Sequence, residues 1–281
     1  MKPVSLFRSG RYSTDWIKDF YTQAGIWWGA EPHDDPGDHR VRAEIVERLR
    51  GPGKWRVLDL GAGSGFTAAA LAGAGHAVVG VELNPADIAY AQELLAVPRS
   101  GSLSIVEGDY YTVELDGRFD VVCWWQGFGL GSDADQRRML RRIAHEWLVP
   151  GGCALIDVYN LTWAARHAGE AVHLDALEGV PGSVDMIERS HFDPVYGRWI
   201  DEWQPVADPD KALAQTVRCY TPADLLLLLE GTGLALQRIE LDGQEVDFSS
   251  NQITLSEAML EAWAYLAQLI PAGGAGQGCN S

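Results

Sequence analysis

Between positions 55 and 160, short apolar runs alternate with longer segments of mixed polarity. Val57–Leu60, Ala77–Glu82, Ser102–Val106, Phe119–Trp125 and Cys153–Tyr159 read as strands, the first an apolar run ahead of a glycine turn. Val57–Leu60 suits a strand buried on both faces of a parallel sheet. The segments between the strands read as helices. Thr67 to Gly73 is Ala-rich, Pro85 sits in the first turn of a helix carrying Ile88, Ala91 and Leu95, and a polar helix runs from Asp133 to Leu148 ahead of Pro150-Gly151-Gly152. Such alternation predicts parallel pairing with right-handed crossovers.

Outside this block the pattern changes. Thr14–Ile26 has apolar residues Trp16, Ile17, Phe20 and Tyr21 at helical spacing, and the pair Trp27-Trp28 follows it. Asp38 is placed to cap a helix through Val41, Ile45, Val46 and Leu49. Residues 161–215 contain two alternating runs, Met186–Phe192 and Arg198–Trp203, joined by Asp193-Pro194-Val195-Tyr196-Gly197, which predicts a β-hairpin. Gln215–Tyr220 reads as a strand that resumes the main fold. Thr221 with Pro222 opens a helix over Ala223–Glu230 that is expected to be buried on most faces, and Leu234–Leu241 is the last long strand. Ile253–Ile270, with Leu255, Met259, Trp263 and Leu266 along one stripe, predicts a C-terminal helix.

The expected organisation is an N-terminal helical lid over 1–37 and a ligand-binding core over 38–160. An inserted lid over 161–215, the end of the core with its C-terminal helix over 216–271, and a disordered tail over 272–281 complete it. Composition narrows the partners. A formal charge of −17 argues against nucleic acid, which needs a basic face. No apolar stretch reaches membrane-spanning length and no secretory leader is visible, so a cytoplasmic monomer or homodimer without a membrane partner is expected. Cys123, Cys153, Cys219 and Cys279 are scattered, without the paired spacing of a zinc or redox site. The cluster His33, Asp34, Asp35, Asp38 and His39 matches no ligand motif, and no metal is expected.

The chemistry concentrates where the first strand ends, at Asp59-Leu60-Gly61-Ala62-Gly63-Ser64-Gly65. Glycines between a strand and a helix let the backbone approach a ligand closely. Glu82, at the end of the next strand, is placed to accept the hydroxyls of a ribose. Phe66 stands where a dinucleotide fingerprint carries its third glycine, which weakens the reading as an NAD(P)-dependent oxidoreductase. The stretch resembles motif I of the class I methyltransferases that bind S-adenosylmethionine. Gly108-Asp109 and Leu148-Val149-Pro150-Gly151-Gly152 are similar to later motifs of that superfamily. Trp124-Trp125-Gln126-Gly127-Phe128-Gly129 is similar to a Trp-Trp-Asn-Ser-Phe-Gly segment of one group of bacterial small-molecule methyltransferases, with departures at Gln126 and Gly127.

The resemblance implies a Rossmann-like, doubly wound sheet of seven strands with the last antiparallel, S-adenosylmethionine as donor and a small molecule as acceptor. It implies that Gly61, Ala62, Gly63 and Glu82 hold the methionine part and ribose. Asp109 would take the adenine amino group, Leu83 and Tyr110 would sandwich the ring, and Trp125 with Gln126 would lie under the methyl group. Strand alternation lets only one of Trp124 and Trp125 face the cofactor, and Trp125 is the choice. The acceptor walls are expected from Trp27, Trp28, Phe128 and Trp199, with Tyr159 or His191 as a general base if one is needed. The hairpin acids Asp185, Glu188, Asp201 and Glu202 are expected to face solvent. The rival to direct in-line methyl transfer, besides the oxidoreductase, is a regulator that binds a nucleoside ligand without turnover.

Overall fold

The computed structural model describes residues 13–29, 36–248 and 256–273. Helices α1 (Ile17–Trp28) and α2 (Pro36–Arg50) precede the alternating block. That block runs β1 (Arg56–Leu60), α3 (Phe66–Gly73), β2 (Ala77–Glu82), α4 (Pro85–Leu95), β3 (Ser102–Glu107), β4 (Phe119–Trp124), α5 (Asp133–Arg142) and β5 (Leu148–Tyr159). The chain continues as α6 (Leu161–Arg166), β6 (Ala171–Leu174), β7 (Met186–Asp193), β8 (Arg198–Pro205) and β9 (Leu213–Arg218). It closes with α7 (Pro222–Leu229), β10 (Leu234–Leu241), β11 (Gln244–Glu245), α8 (Glu257–Glu261) and β12 (Ala264–Pro271).

Two sheets form. The larger has the order β3-β2-β1-β4-β5-β12-β10-β11, parallel except that β12 runs against both its neighbours and the two-residue β11 against β10. Seven long strands with one reversed is the expected fold. Helices cover both faces, and the pleat sorts the core accordingly. Val57, Val121 and Cys123 pack with Ala43, Val46 and Leu71 of α2 and α3, whereas Leu58, Val122 and Trp124 pack with Met139, Leu140 and Leu225 of α5 and α7. Asn84 caps α4 and Ser132 caps α5 through side-chain oxygens, as the sequence pattern suggests for helix starts.

The smaller sheet, β6-β7-β8-β9, is antiparallel throughout. The predicted hairpin is its centre, with Asp193 paired to Arg198 and Met186 to Pro205.

Several expectations change. Of the stretch read as a C-terminal helix, residues 253–255 lie outside the described residues; among the described ones only the short α8 is helical, and 264–270 belong to β12, the reversed strand between β10 and β5. Being buried on both faces, β12 lacks the period-2 alternation that separates a strand from a buried helix. The strand at 213–218 pairs with β8 in the smaller sheet and does not rejoin the core. Helix α7 buries Leu225, Leu228 and Leu229 but leaves Leu226 and Leu227 exposed. The helix expected to end at Leu148 gives way to a π-helical turn over Ile143–Trp147, after which β5 starts at Leu148. Helix α1 extends through Trp28, and α2 starts at Pro36, so Asp38 lies inside its first turn. His33, Asp34, Asp35 and residues 274–281 of the expected tail lie outside the described residues.

Candidate active site

A cavity of about 540 Å³ opens where β1, β2, β4 and β5 end, between the glycine turn on one side and α1 with the smaller sheet on the other. Gly61 and Gly63 line it with φ of +69° and +53°, a conformation that side chains adopt at a cost. A Cβ at Gly63 would meet nothing within 4 Å, so the space above the turn is free for a ligand. Glu82 ties this turn to the end of β2. The Gly63 N–H donates to its Oε2 at 2.7 Å, and those of Leu83 and Asn84 donate to Oε1 at 2.7 and 2.8 Å. Burial raises its pKa against these three N–H donors, and one lone pair of Oε2 remains for a hydroxyl.

Ala62, Leu83, Asp109, Tyr110, Trp125 and Gln126 also line the cavity. Asp109 Oδ1 accepts the Tyr111 N–H at 2.8 Å, leaving Oδ2 for a donor. Trp125 faces the cavity while Trp124 is fully buried against Phe128 and Tyr110, as alternation requires. Gln126 has φ +56°, unusual outside glycine. Its backbone is held at both ends by β5: its N–H donates to the Asp157 carboxylate, and its carbonyl accepts the Tyr159 hydroxyl at 3.1 Å.

Sequence reasoning missed the polar groups between the turn and α2. Asp59 is 1% exposed, and neither of its carboxylate oxygens has a hydrogen-bond partner. Burial pushes its pKa up to about 7, against the pull of Arg42 and His39. Arg42 lies over the Trp125 ring, and His39 Nδ1 is 2.7 Å from Thr67 Oγ1. The Trp125 indole N–H is likewise buried without a hydrogen-bond partner. Buried polar atoms are normally satisfied, so their concentration around one cavity marks a ligand-binding surface.

The other wall comes from α1 and the smaller sheet. On an antiparallel sheet, directly opposed residues share a face, so Glu188 with Trp203, Asp201 with Gln215, and Trp199 with Phe192 lie on one side. Glu188, Trp199, Asp201, Trp203 and Gln215 line the cavity, and Tyr21 of α1 donates to Gln215 Oε1 at 3.1 Å. Among the expected acceptor walls, only Trp199 lines it. Trp28 packs edge-on against Trp203, the Trp27 carbonyl accepts the Val184 N–H, and Phe128 is in the core. These rings fix α1 to the sheet and stabilise the fold beneath.

His191 is on the opposite face of β7, its Nε2 2.9 Å from Glu202, and does not line the cavity. Tyr159 does line it, but its hydroxyl is engaged with Gln126, and burial pushes its pKa well above that of a free phenol. Neither is built as a base for the acceptor. The expectation that Glu188 and Asp201 face solvent is overturned, since both turn inward. Asp185 is exposed, and Glu202 lies on the far face with Arg189 and His191. Among the described residues, the one trio with potential metal-ligand atoms within 4.8 Å of one another is His173, Asp175 and Asp185, all exposed and outside the cavity lining.

Residues 57–152 match the family model described as a methyltransferase domain. A ubiquinone biosynthesis O-methyltransferase of Xanthomonas campestris pv. campestris is 31% identical over 176 residues, covering 59% of this chain and 69% of that protein. A cypemycin N-terminal methyltransferase of a Streptomyces species is 33% identical over 117 residues, 41% of this chain and 46% of its own length. The chain thus spans under half of one of these relatives and about two thirds of the other. The chain belongs to the methyltransferase family. Its fold is shared with the CcbJ methyltransferase from Streptomyces caelestis, at a TM-score of 0.69 and 22% identity over 91% of this chain and 96% of that one. One relative is named as an N-terminal methyltransferase and the other as an O-methyltransferase, so the acceptor atom has to be read from the site.

Among the described residues no helix is long and apolar enough to cross a membrane.

Proposed function

We propose that this protein is an S-adenosylmethionine-dependent methyltransferase acting on a small-molecule acceptor by direct in-line transfer. The observation that carries the reading is the single cavity joining the glycine turn and Glu82 to an aromatic wall contributed by another sheet. When bound, the donor supplies a methyl group on a positively charged sulfur. The chain's residues bind, align and exclude water, which is most of what a displacement of this type needs. The free lone pair of Glu82 and the backbone of Gly61–Gly63 fit a ribose and its attached chain. Asp109 Oδ2 fits the adenine amino group, with Leu83 and Tyr110 beside the ring. Asp59 and Arg42 supply the opposite charges that the ammonium and carboxylate of a methionine moiety require. Trp125 and Gln126 line the same cavity at the end of β4.

Family membership gives no support to the oxidoreductase or the regulator. Thermal shift separates all three. S-adenosylhomocysteine is expected to raise the melting temperature and NAD to leave it unchanged; stabilisation by NAD alone overturns the reading. Binding without turnover on any member of a metabolite library favours the regulator. A cytoplasmic location, a monomer or homodimer and the lack of a nucleic-acid partner belong to the same proposal. They are supported by the acidic charge and by the free thiols of Cys123, Cys153 and Cys219.

A further inference from the structure

The acceptor wall carries a specific chemical demand. On the cavity face of β8, Trp199, Asp201 and Trp203 follow one another at alternate positions, so a carboxylate stands between two indoles. Glu188 on β7 is opposite Trp203, and therefore diagonal to Asp201 on the same face, within mutual reach. Asp201 is 1% exposed. Its Oδ2 accepts the Gln215 amide at 2.8 Å, and the buried Trp203 indole N–H and the Glu188 carboxyl stand within hydrogen-bonding reach of the same carboxylate. The charge on this wall is one-sided. The lining residues contributed by α1 and the smaller sheet include two carboxylic acids and no Lys, Arg or His.

We propose that the methyl acceptor is a primary or secondary amine, held as its ammonium ion by Asp201 and Glu188 between the indoles of Trp199 and Trp203. The proposal rests on the methyl-transfer reading and adds the substrate class and the residues that select it. An ammonium donates to both carboxylates, neutralises two acids that otherwise repel each other, and is attracted by indole faces. An alcohol supplies one donor and no charge, and a carboxylate is repelled.

The pair also provides for the proton. An ammonium has no lone pair, so one proton must leave before attack. It passes to the ionised Asp201 carboxylate, whose pKa burial and the adjacent Glu188 raise to about 7. The freed nitrogen pair forms the N–C bond as the C–S bond breaks and its electrons stay on sulfur. The product leaves as the N-methylated ammonium, and the proton on Asp201 returns to solvent. An alcohol has to lose a far more tightly held proton, for which this wall offers no comparably strong base: Tyr159 and Tyr21 are the other titratable groups facing Asp201, and burial holds both phenols neutral.

The test is binding by calorimetry to protein saturated with S-adenosylhomocysteine, using benzylamine, cyclohexylamine and piperidine as probes, with benzyl alcohol, cyclohexanol and benzoate as their counterparts. At least one amine should bind at least tenfold tighter than its alcohol, and benzoate should not bind. Asp201→Asn and, separately, Glu188→Gln should bring amine and alcohol within threefold of each other while affinity for S-adenosylhomocysteine is retained. If Asp201→Asn fails to fold, as judged by circular dichroism, Glu188→Gln carries the comparison. Equal affinity for amines and alcohols in the unaltered protein, or an amine preference that survives both substitutions, overturns the proposal alone. Failure of S-adenosylhomocysteine to bind overturns the methyl-transfer reading itself.

Discussion

Three backbone N–H groups converge on the Glu82 carboxylate, so this side chain shapes the glycine turn as well as meeting a ligand. Glu82→Gln keeps the volume but turns an amide N–H₂ toward one of those donors and removes the charge. Affinity for S-adenosylhomocysteine should fall roughly 30- to 100-fold, the equivalent of about 2–3 kcal/mol. Calorimetry showing unchanged affinity removes Glu82 from the site. Asp59 and Asp201 lead to a prediction about pH. Both hold their protons to about pH 7 when folded, against 3.8 as the ordinary value. Between those limits the folded protein binds more protons than the unfolded chain, so stability falls as pH rises through the window, by up to about 1.4 kcal/mol per unit for each group. The melting temperature of the ligand-free protein should drop from pH 5 to pH 8, and Asp59→Asn should flatten the drop. A melting temperature that rises over this range contradicts both assignments. At this scale the motifs single out Gly61, Glu82 and Asp109, which the fold does bring to one cavity. The sequence was opaque where register decides, because His191 and Glu188 differ by three positions on one strand and so point to opposite faces.

Local patterns identified most of the strands and most helices, because each carries its own period and cap. Thr221 with Asp224 forms the reciprocal cap that the Thr-Pro start announces, and Thr221→Ala should cost about 1 kcal/mol in chemical denaturation. Pairing partners were less legible. β9 is adjacent in sequence to α7 yet hydrogen-bonds to β8, and β12 reads as a helix because burial on both faces erases alternation. The element with most bearing on function is α1. It is fastened to the smaller sheet by the Tyr21–Gln215 hydrogen bond and by the contacts of Phe20 and Trp28 with Trp203, and to the core by the Thr22–Asn84 contact. These contacts bridge the two walls of the cavity, so a ligand filling it should slow their opening. Hydrogen exchange in 17–28 and 186–205 should slow at least severalfold when S-adenosylhomocysteine binds. Equal protection in the free and bound protein identifies these elements as fixed walls with no part in closure.

Across the whole molecule the charge of −17 acts on everything the two sheets enclose. Self-repulsion at this level weakens the compact state, and it reinforces the cost of the ionised acids inside the cavity. The same field repels polyanions and draws in small cations, which suits an acceptor that arrives as an ammonium ion. Salt separates this long-range term from the local contacts, since the Debye length shrinks from about 20 Å near 0.02 M to about 8 Å at 0.15 M. The melting temperature of the ligand-free protein should therefore climb by a few degrees between about 0.02 M and about 0.15 M sodium chloride, then level off as screening saturates. General salting-out gives a different curve, one that keeps rising with concentration. A flat response, or a steady rise without a plateau, means that the net charge does not limit the stability of this fold.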